Sequence, residues 1–288
     1  MLTSTLASTM VSSPPKRTWW ARNPRLILGL CFVIPLALVA ILGPILNIGD
    51  PFKTNALNTL AGPGQGGLLG TDENGRDMMV RIIYGLRSSL FVAVTSTLIG
   101  AIFGTLIGLL SGYFRGWVEL VLMRLVDLIL VFPASLVAIA IVSFIGGSIT
   151  NLIIVLSVLV TPNFGRIIHA STLAEGQRDY IEAAHSIGAR NQRIIFKHVL
   201  PNVSTPLFTE LALMLGRVVL IESSLSFVGL GAPPPQPTLG IMVSVARGYL
   251  YNQPWMLIWP SLVLAILVVG FNLTVDGLRD WLDPRLKR

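Results

Sequence analysis

The sequence predicts an all-α, polytopic membrane protein with about six transmembrane helices. Over half of its 288 residues (53%) are hydrophobic, and only 12% are Asp, Glu, Lys or Arg. That is about half the charged share of a soluble domain. The charges also cluster in short stretches, separated by uncharged runs of the ~20 residues that one helical crossing needs.

The first 20 or so residues are rich in Ser, Thr and Pro and end on Lys16, Arg17, Trp19 and Trp20. They read as a polar tail running into an interfacial segment. The apolar run 26–48 exceeds the 7–15 residues of a signal-peptide core, so it is expected to be an uncleaved first span. Pro35 and Pro44 should bend it or set its end. Residues 49–87 read as a loop that closes on a charged amphipathic stretch, 76–87, expected in the membrane interface.

Residues 88–114 make span two, and Arg115, Glu119 and Arg124 mark a polar turn. The 38 uncharged residues 128–165 are too many for one crossing. A break at Gly146-Gly147-Ser148 gives spans three (about 119–145) and four (about 149–168). The polar segment 166–205 holds all three histidines, His169, His185 and His198. Span five covers about 206–230, a loop with Pro233, Pro234, Pro235 and Pro237 follows, and span six covers about 255–275.

With the N-terminus inside, 15 of the 21 Lys and Arg fall on inner segments, five on outer loops, and Arg217 within span five. This bias predicts both termini in the cytoplasm. The expected organisation is an N-terminal tail (1–25), a membrane domain (26–276) and a C-terminal tail (277–288). The outer loops are 49–87 and 231–254, and the cytoplasmic loop is 166–205.

The net charge of +7 fits positive residues flanking spans better than nucleic-acid binding. The one cysteine, Cys31, excludes a disulfide framework within the chain and a Cys-based zinc site. No Gly-rich phosphate loop with Lys-Ser/Thr and no His-Glu-x-x-His pair occurs, so neither ATP binding by this chain nor a metal site is expected. An intramembrane protease would need a catalytic set within the spans. They hold no His, and Asp127 is their one expected Asp. An ion-coupled secondary transporter would often show inverted repeats, and none is evident.

Three groups of residues invite mechanism. Gly100, Gly104, Gly108 and Gly112 fall on one stripe of span two and permit close helix approach, as packing or as a sliding surface. In the cytoplasmic loop, Asp179 with Glu182 three residues on reads as a capping box opening a helix over 180–187. Gly188 is placed to end that helix, Asn191 to start a second, and Pro201 to stop it. Ala183 and Ala184 keep one face low, and Ile187, Ile194, Ile195 and Phe196 read as a docking surface. Lastly, Glu210, Arg217 and Glu222 fall at membrane depth, where each charge costs about 2.5–3.5 kcal/mol. Glu210 and Arg217, seven apart on one helix face, are expected as a structural ion pair or as residues reaching the interface. Arg217, Glu222, Ser223 and Ser226 are the candidates for lining a path, and Arg124 is expected to pair with Asp127.

Glu182-Ala183-Ala184, Gly188 and Leu200-Pro201 have the spacing of the EAA loop of ABC-importer permeases, with His198 where that pattern often carries isoleucine. The segment 69–77 (LGTDENGRD) with Tyr84-Gly85 and Arg87-Ser88-Ser89-Leu90 resembles the stretch after span one in C-type peptide permeases. Leu225-Ser226-Phe227-Val228-Gly229-Leu230-Gly231 and Asp276-Gly277-Leu278-Arg279-Asp280 are similar to their span-five exit and C-terminus. Ser261, where a glycine is usual, and Arg217 depart from the pattern. The resemblance covers about residues 66–288.

The resemblance implies the type I importer permease fold and a non-enzymatic subunit without its own cofactor, ATP and Mg residing in partner ATPases. It further implies a second permease subunit, two ATPase domains and an extracytoplasmic binding protein, in a bacterial cytoplasmic membrane. The loop would be a coupling helix seated in an ATPase groove, and substrates across such relatives include dipeptides, oligopeptides, glutathione and nickel complexes.

Overall fold

In the computed structural model of the chain, residues 23–282 are described. The tail over 1–22 and the closing residues 283–288 lie outside them. The described residues are mostly helical, with one long connection over residues 46–77. In order the helices are α1 (Pro24–Ile45), α2 (Met78–Phe114), α3 (Gly116–Leu130), α4 (Ala134–Ile145), α5 (Ile149–Glu175) and α6 (Asp179–Ser186). There follow α7 (Asn191–Ile194), a π-helical turn (Ile195–Val199), α8 (Leu200–Asn202), α9 (Ser204–Phe227), α10 (Leu239–Ala246) and α11 (Trp255–Leu282).

Among the described residues five helices, α1, α2, α5, α9 and α11, are long and apolar enough to cross a membrane. The α3–α4 pair passes the same test only as a unit, and it is bent by 86°. The bend falls at residues 131–133, where Pro133 has no N–H to continue the ladder.

Packing of α2 on α5 decides whether that pair is one crossing. A Cβ on Gly100 would meet the Ser157 carbonyl at 3.1 Å, and one on Gly104 the Thr161 carbonyl at 2.5 Å. On Gly108 it would meet the Gly165 carbonyl at 2.8 Å, and on Gly112 the His169 carbonyl at 2.9 Å. Every step of four residues along α2 is a step of four along α5 in the same sense, so the two helices run parallel. The chain leaving α2 must therefore recross before α5 begins, and α3–α4 is the element that does so. The described residues therefore make six crossings, with α3–α4 as one bent span.

The start of α1 lies against the end of α11, with Gly277 packed on Leu26, Gly29 on Thr274, and Arg25 paired to Asp280 at 3.6 Å. The other end of α1 meets the start of α2, where Gly43 packs on Ile83. One face of the bundle thus gathers the start of α1 and the ends of α2, α5 and α11. The opposite face carries residues 46–77, 146–148 and 228–254.

Three boundaries differ from expectation. The 49–87 loop ends at Asp77, whose carboxylate caps α2 by accepting from Met79 N (2.8 Å) and Val80 N (3.2 Å). Residues 78–87 are therefore the first turns of α2 and not a separate interfacial stretch. Arg76 and Arg81 are buried against Asp72, through Arg76 Nε at 2.7 Å and Arg81 Nε at 3.2 Å, and Arg81 also donates to the Pro51 carbonyl. Buried charges persist when paired in this way. At the other face, α5 continues to Glu175 and α11 to Leu282.

Candidate functional site

The segment after α5 folds as the expected elbow, on different local grounds. Residues 179–186 are helical, but the N-cap position is Arg178 and no side chain caps it. Asp179 and Glu182 lie inside the first turn, where acidic groups still suit the helix dipole. Gly188 ends the element at φ +77°, a conformation that L side chains disfavour, with nothing within 4 Å of a Cβ built there. Arg190 precedes α7, which runs into the π-turn and α8 without a break. Pro201 therefore does not stop a helix. The π-turn, with Leu200 N donating to the Ile195 carbonyl, accommodates the proline, and the helical path continues into α9 after one turn residue.

What roots the elbow is a small apolar cluster. Ile181, Ala184, Ile194, Ile195, Val199 and Val203 pack on Leu109 of α2 and Ile168 of α5. Ile194 and Ile195 are thus core residues and not docking residues, and Ala183 and Ala184 part company, the first exposed and the second buried. Asp179, Glu182 and Pro201 are exposed, and Leu200 is half-buried. Two apolar side chains stay in the open: Ile187 (85% exposed), beside Gly188, and Phe196 (60%).

Polar contacts complete the mounting. Tyr113 Oη, on α2, donates to Asn191 Oδ1 at 3.0 Å and lies 3.3 Å from His185 Nε2. Tyr180 Oη donates to Glu175 and accepts from Asn202 Nδ2 at 2.9 Å. Partial burial raises the Tyr180 phenol above its usual value, and the bond to Glu175 adds to this. Sequence reasoning missed these tyrosines. It also read Ile194 and Ile195 as docking residues, although the 181/184 and 195/199/203 spacing could have marked the buried set. Nearby, Asp127 pairs with Arg166 of α5 at 2.6 Å and not with Arg124, while His169 bridges Glu119 and Ser111.

Within the spans, the structure separates the four path candidates. Arg217 is exposed, whereas Glu222, Ser223 and Ser226 are buried. The Glu222 carboxylate accepts from Ser226 Oγ at 2.8 Å and Ser223 Oγ at 3.3 Å, and Ser89 of α2 lies near it. Ser89 Oγ in turn accepts from Leu239 N at 3.4 Å, at the start of α10. Nothing in the sequence linked Ser89 to residue 222. Glu210 is buried as well and has no ion pair within 4 Å among the described residues, although Arg217 and Arg279 act on it electrostatically. The expected Glu210–Arg217 ion pair does not form.

The described residues thus form a bundle of membrane-crossing helices with an externally mounted elbow, and no group of theirs could hold a metal ion. The family described as "Binding-protein-dependent transport system inner membrane component" matches residues 104–288. The dipeptide transport system permease protein DppC of Alkalihalophilus pseudofirmus is 39% identical over 92% of this chain and 88% of its own length. DppC of Haemophilus influenzae is 37% identical over 97% and 98%. The glutathione transport system permease protein GsiD of Pectobacterium atrosepticum is 38% identical over 95% and 92%. Among solved structures, an inward-facing MetNI methionine ABC transporter shares the fold with a TM-score of 0.58 at 22% identity, covering 69% of this chain and 94% of that one. The chain belongs to the family of ABC-importer permeases that are the inner-membrane components of binding-protein-dependent transport systems. It is a multi-pass inner-membrane subunit.

Proposed function

We propose that this chain forms half of the translocation path of an ATP-driven importer of small peptides. The observation that carries the reading is the elbow: Ile187 projects from a rigid, core-rooted mount at the face where α2 and α5 end. Burying one such side chain in a partner is worth about 1.5–3 kcal/mol. On this reading Asp179, Glu182, Ala183 and Gly188 form the surface that meets an ATPase, while Ala184, Leu200 and Pro201 hold its shape. The Lys and Arg distribution supports placing this face, and with it both termini, in the cytoplasm.

The opposite face, with residues 46–77 and 228–254, would receive an extracytoplasmic binding protein. A second, homologous permease would supply the other half of the path, and two ATPase domains the ATP and Mg chemistry. The peptide class rests on relatives named for dipeptide and for glutathione transport, since both cargoes are peptides.

The test is purification of the complex in mild detergent, followed by reconstitution with its binding protein and uptake of labelled dipeptide. ATP-dependent uptake is expected, lost in Ile187→Asp together with the ATPase subunits, while the spans stay inserted. An intact permease pair that imports dipeptide without any ATPase would overturn the reading and favour an ion-coupled secondary transporter.

A further inference from the structure

The outward faces of the crossing helices are not alike. Between residues 26 and 45, α1 exposes Leu28, Phe32, Ile34, Leu38, Ile41 and other apolar groups. Between residues 88 and 114, α2 likewise exposes only apolar side chains, Phe91, Leu98 and Phe103 among them. These are faces for lipid. On α9 the exposed stripe is mixed, with Arg217, Leu220, Ser224 and Phe227. Arg217 lies near the middle of this 24-residue helix. A guanidinium at that depth is costly in lipid, so this stripe faces protein or water.

Charge on α9 is also sorted. Glu222, at 0% exposure, turns to the other side of the helix from Arg217, and Glu210, two turns below Arg217 on the same side, is covered by its neighbours at 7% exposure. The exposed part of this face therefore presents a cation and a hydroxyl and no carboxylate. Asn272 of α11 adds a neutral polar group beside Gly216, and the nearest exposed acid on α11, Asp276, lies one turn beyond it. At the far end of the stripe, Arg247 lies over the Phe227 ring at 5.0 Å. Next to it, Leu220, Ser223, Ser224, Phe227 and Val228 line an open cleft of about 310 Å³. A path built to carry a cationic metal complex would present carboxylates here. One that presents arginines and hydroxyls suits an anionic group.

We infer that Arg217 is a selectivity residue of the translocation path that favours peptides carrying a side-chain carboxylate, receiving that group in transit after it has passed Arg247 at the mouth. Phe227 is ten residues from Arg217, about 15 Å along the helix. A dipeptide spans only about 7 Å. The two cations are therefore successive stations. A guanidinium keeps its positive charge at this depth, so it is the charge of the passing group that is read there. The inference rests on the peptide reading above.

The test uses the complete complex in proteoliposomes, with the dipeptides Ala-Glu and Ala-Lys. The binding protein is present at a concentration that saturates transport of each, so that capture drops out of the comparison. Arg217→Lys should keep both rates within twofold. Arg217→Glu should lower the ratio of Ala-Glu to Ala-Lys transport at least tenfold, with Arg217→Gln between. A structural role would slow both peptides alike and leave that ratio unmoved. An unchanged ratio across all three variants overturns the assignment of Arg217. Failure of the wild-type complex to import either peptide overturns instead the peptide reading beneath it.

Discussion

Replacement of Gly104 by alanine tests the close seam between α2 and α5. The new Cβ would stand 2.5 Å from Phe164 Cβ, 2.5 Å from the Thr161 carbonyl oxygen and 3.0 Å from Gly165 N. Unstrained contacts between carbon atoms lie near 3.5–4.0 Å. Two of the three neighbours are backbone atoms, which cannot swing away, so the helices must part. Overpacking of this kind costs about 1–3 kcal/mol. Alanine's better helix propensity returns up to about 1 kcal/mol. Contacts as short as 2.5 Å put this case at the upper end of the overpacking range, so the expected net loss is about 2 kcal/mol. Gly248→Ala is the control, because nothing lies within 4 Å of its Cβ, and its change should stay within about 0.5 kcal/mol. Unfolding in mixed micelles, followed by tryptophan fluorescence, measures both. A Gly104→Ala protein as stable as the control would refute the parallel, backbone-close seam, and with it the count of six crossings.

Asp72→Ala should cost about 3–5 kcal/mol, because it leaves Arg76 and Arg81 buried without their shared carboxylate; a loss under about 1 kcal/mol in the same titration would show the knot to be dispensable. Ser226→Ala should cost about 1–3 kcal/mol by removing a buried donor to Glu222. The double variant with Glu222→Ala should then fall short of the sum, and strict additivity in that cycle would disprove the pairing. Gly188→Ala and Gly146→Ala both force alanine into φ near +80° with open space around it, at about 1–2 kcal/mol each. Their stabilities should match, but only Gly188→Ala should lower peptide imported per ATP hydrolysed. Equal coupling in the two would remove Gly188 from the docking surface.

Most of the bundle could be read from charge-free runs, and so could the turn at 146–148. The interruption of span three was missed. Residues 131–133 lie inside a long uncharged run, where Pro133 was the one signal that could have marked the bend. The early start of α2 was hidden for the opposite reason. Arg81 and Arg87 look like surface charges, and only the fold brings Asp72 back under Arg81. Pro201 misled because its usual effect on a helix assumes α-type bonding, which the π-turn avoids. The separation of Arg217 from Glu222 was available in advance, since five residues turn a helix by about 140° and cannot place both on one path. Which of the two turns inward depends on the serines of α2 and α9.

The elbow has two unequal connections to the membrane. Toward α5 it is joined through the turn at 176–178, braced by Arg178 and Tyr180 on Glu175. Toward α9 it is joined by helix, since Val203 N donates to the Val199 carbonyl at 3.0 Å and Leu207 N to the Val203 carbonyl at 3.3 Å across the junction. Val199 and Val203 are both buried in the elbow's own cluster. A push on α6 and α7 therefore reaches α9 with little compliance. The two receiving helices also differ in how firmly they are held. In its most apolar window α5 is 56% buried, sealed along its length to the glycines of α2, whereas α9 is 28% buried. If an ATPase moves the elbow, α9 is the helix that can yield, and α2–α5 the frame against which it moves. The helix that yields is also the one carrying Arg217 on its open face, so the motion that opens the path would carry the residue proposed to read the cargo.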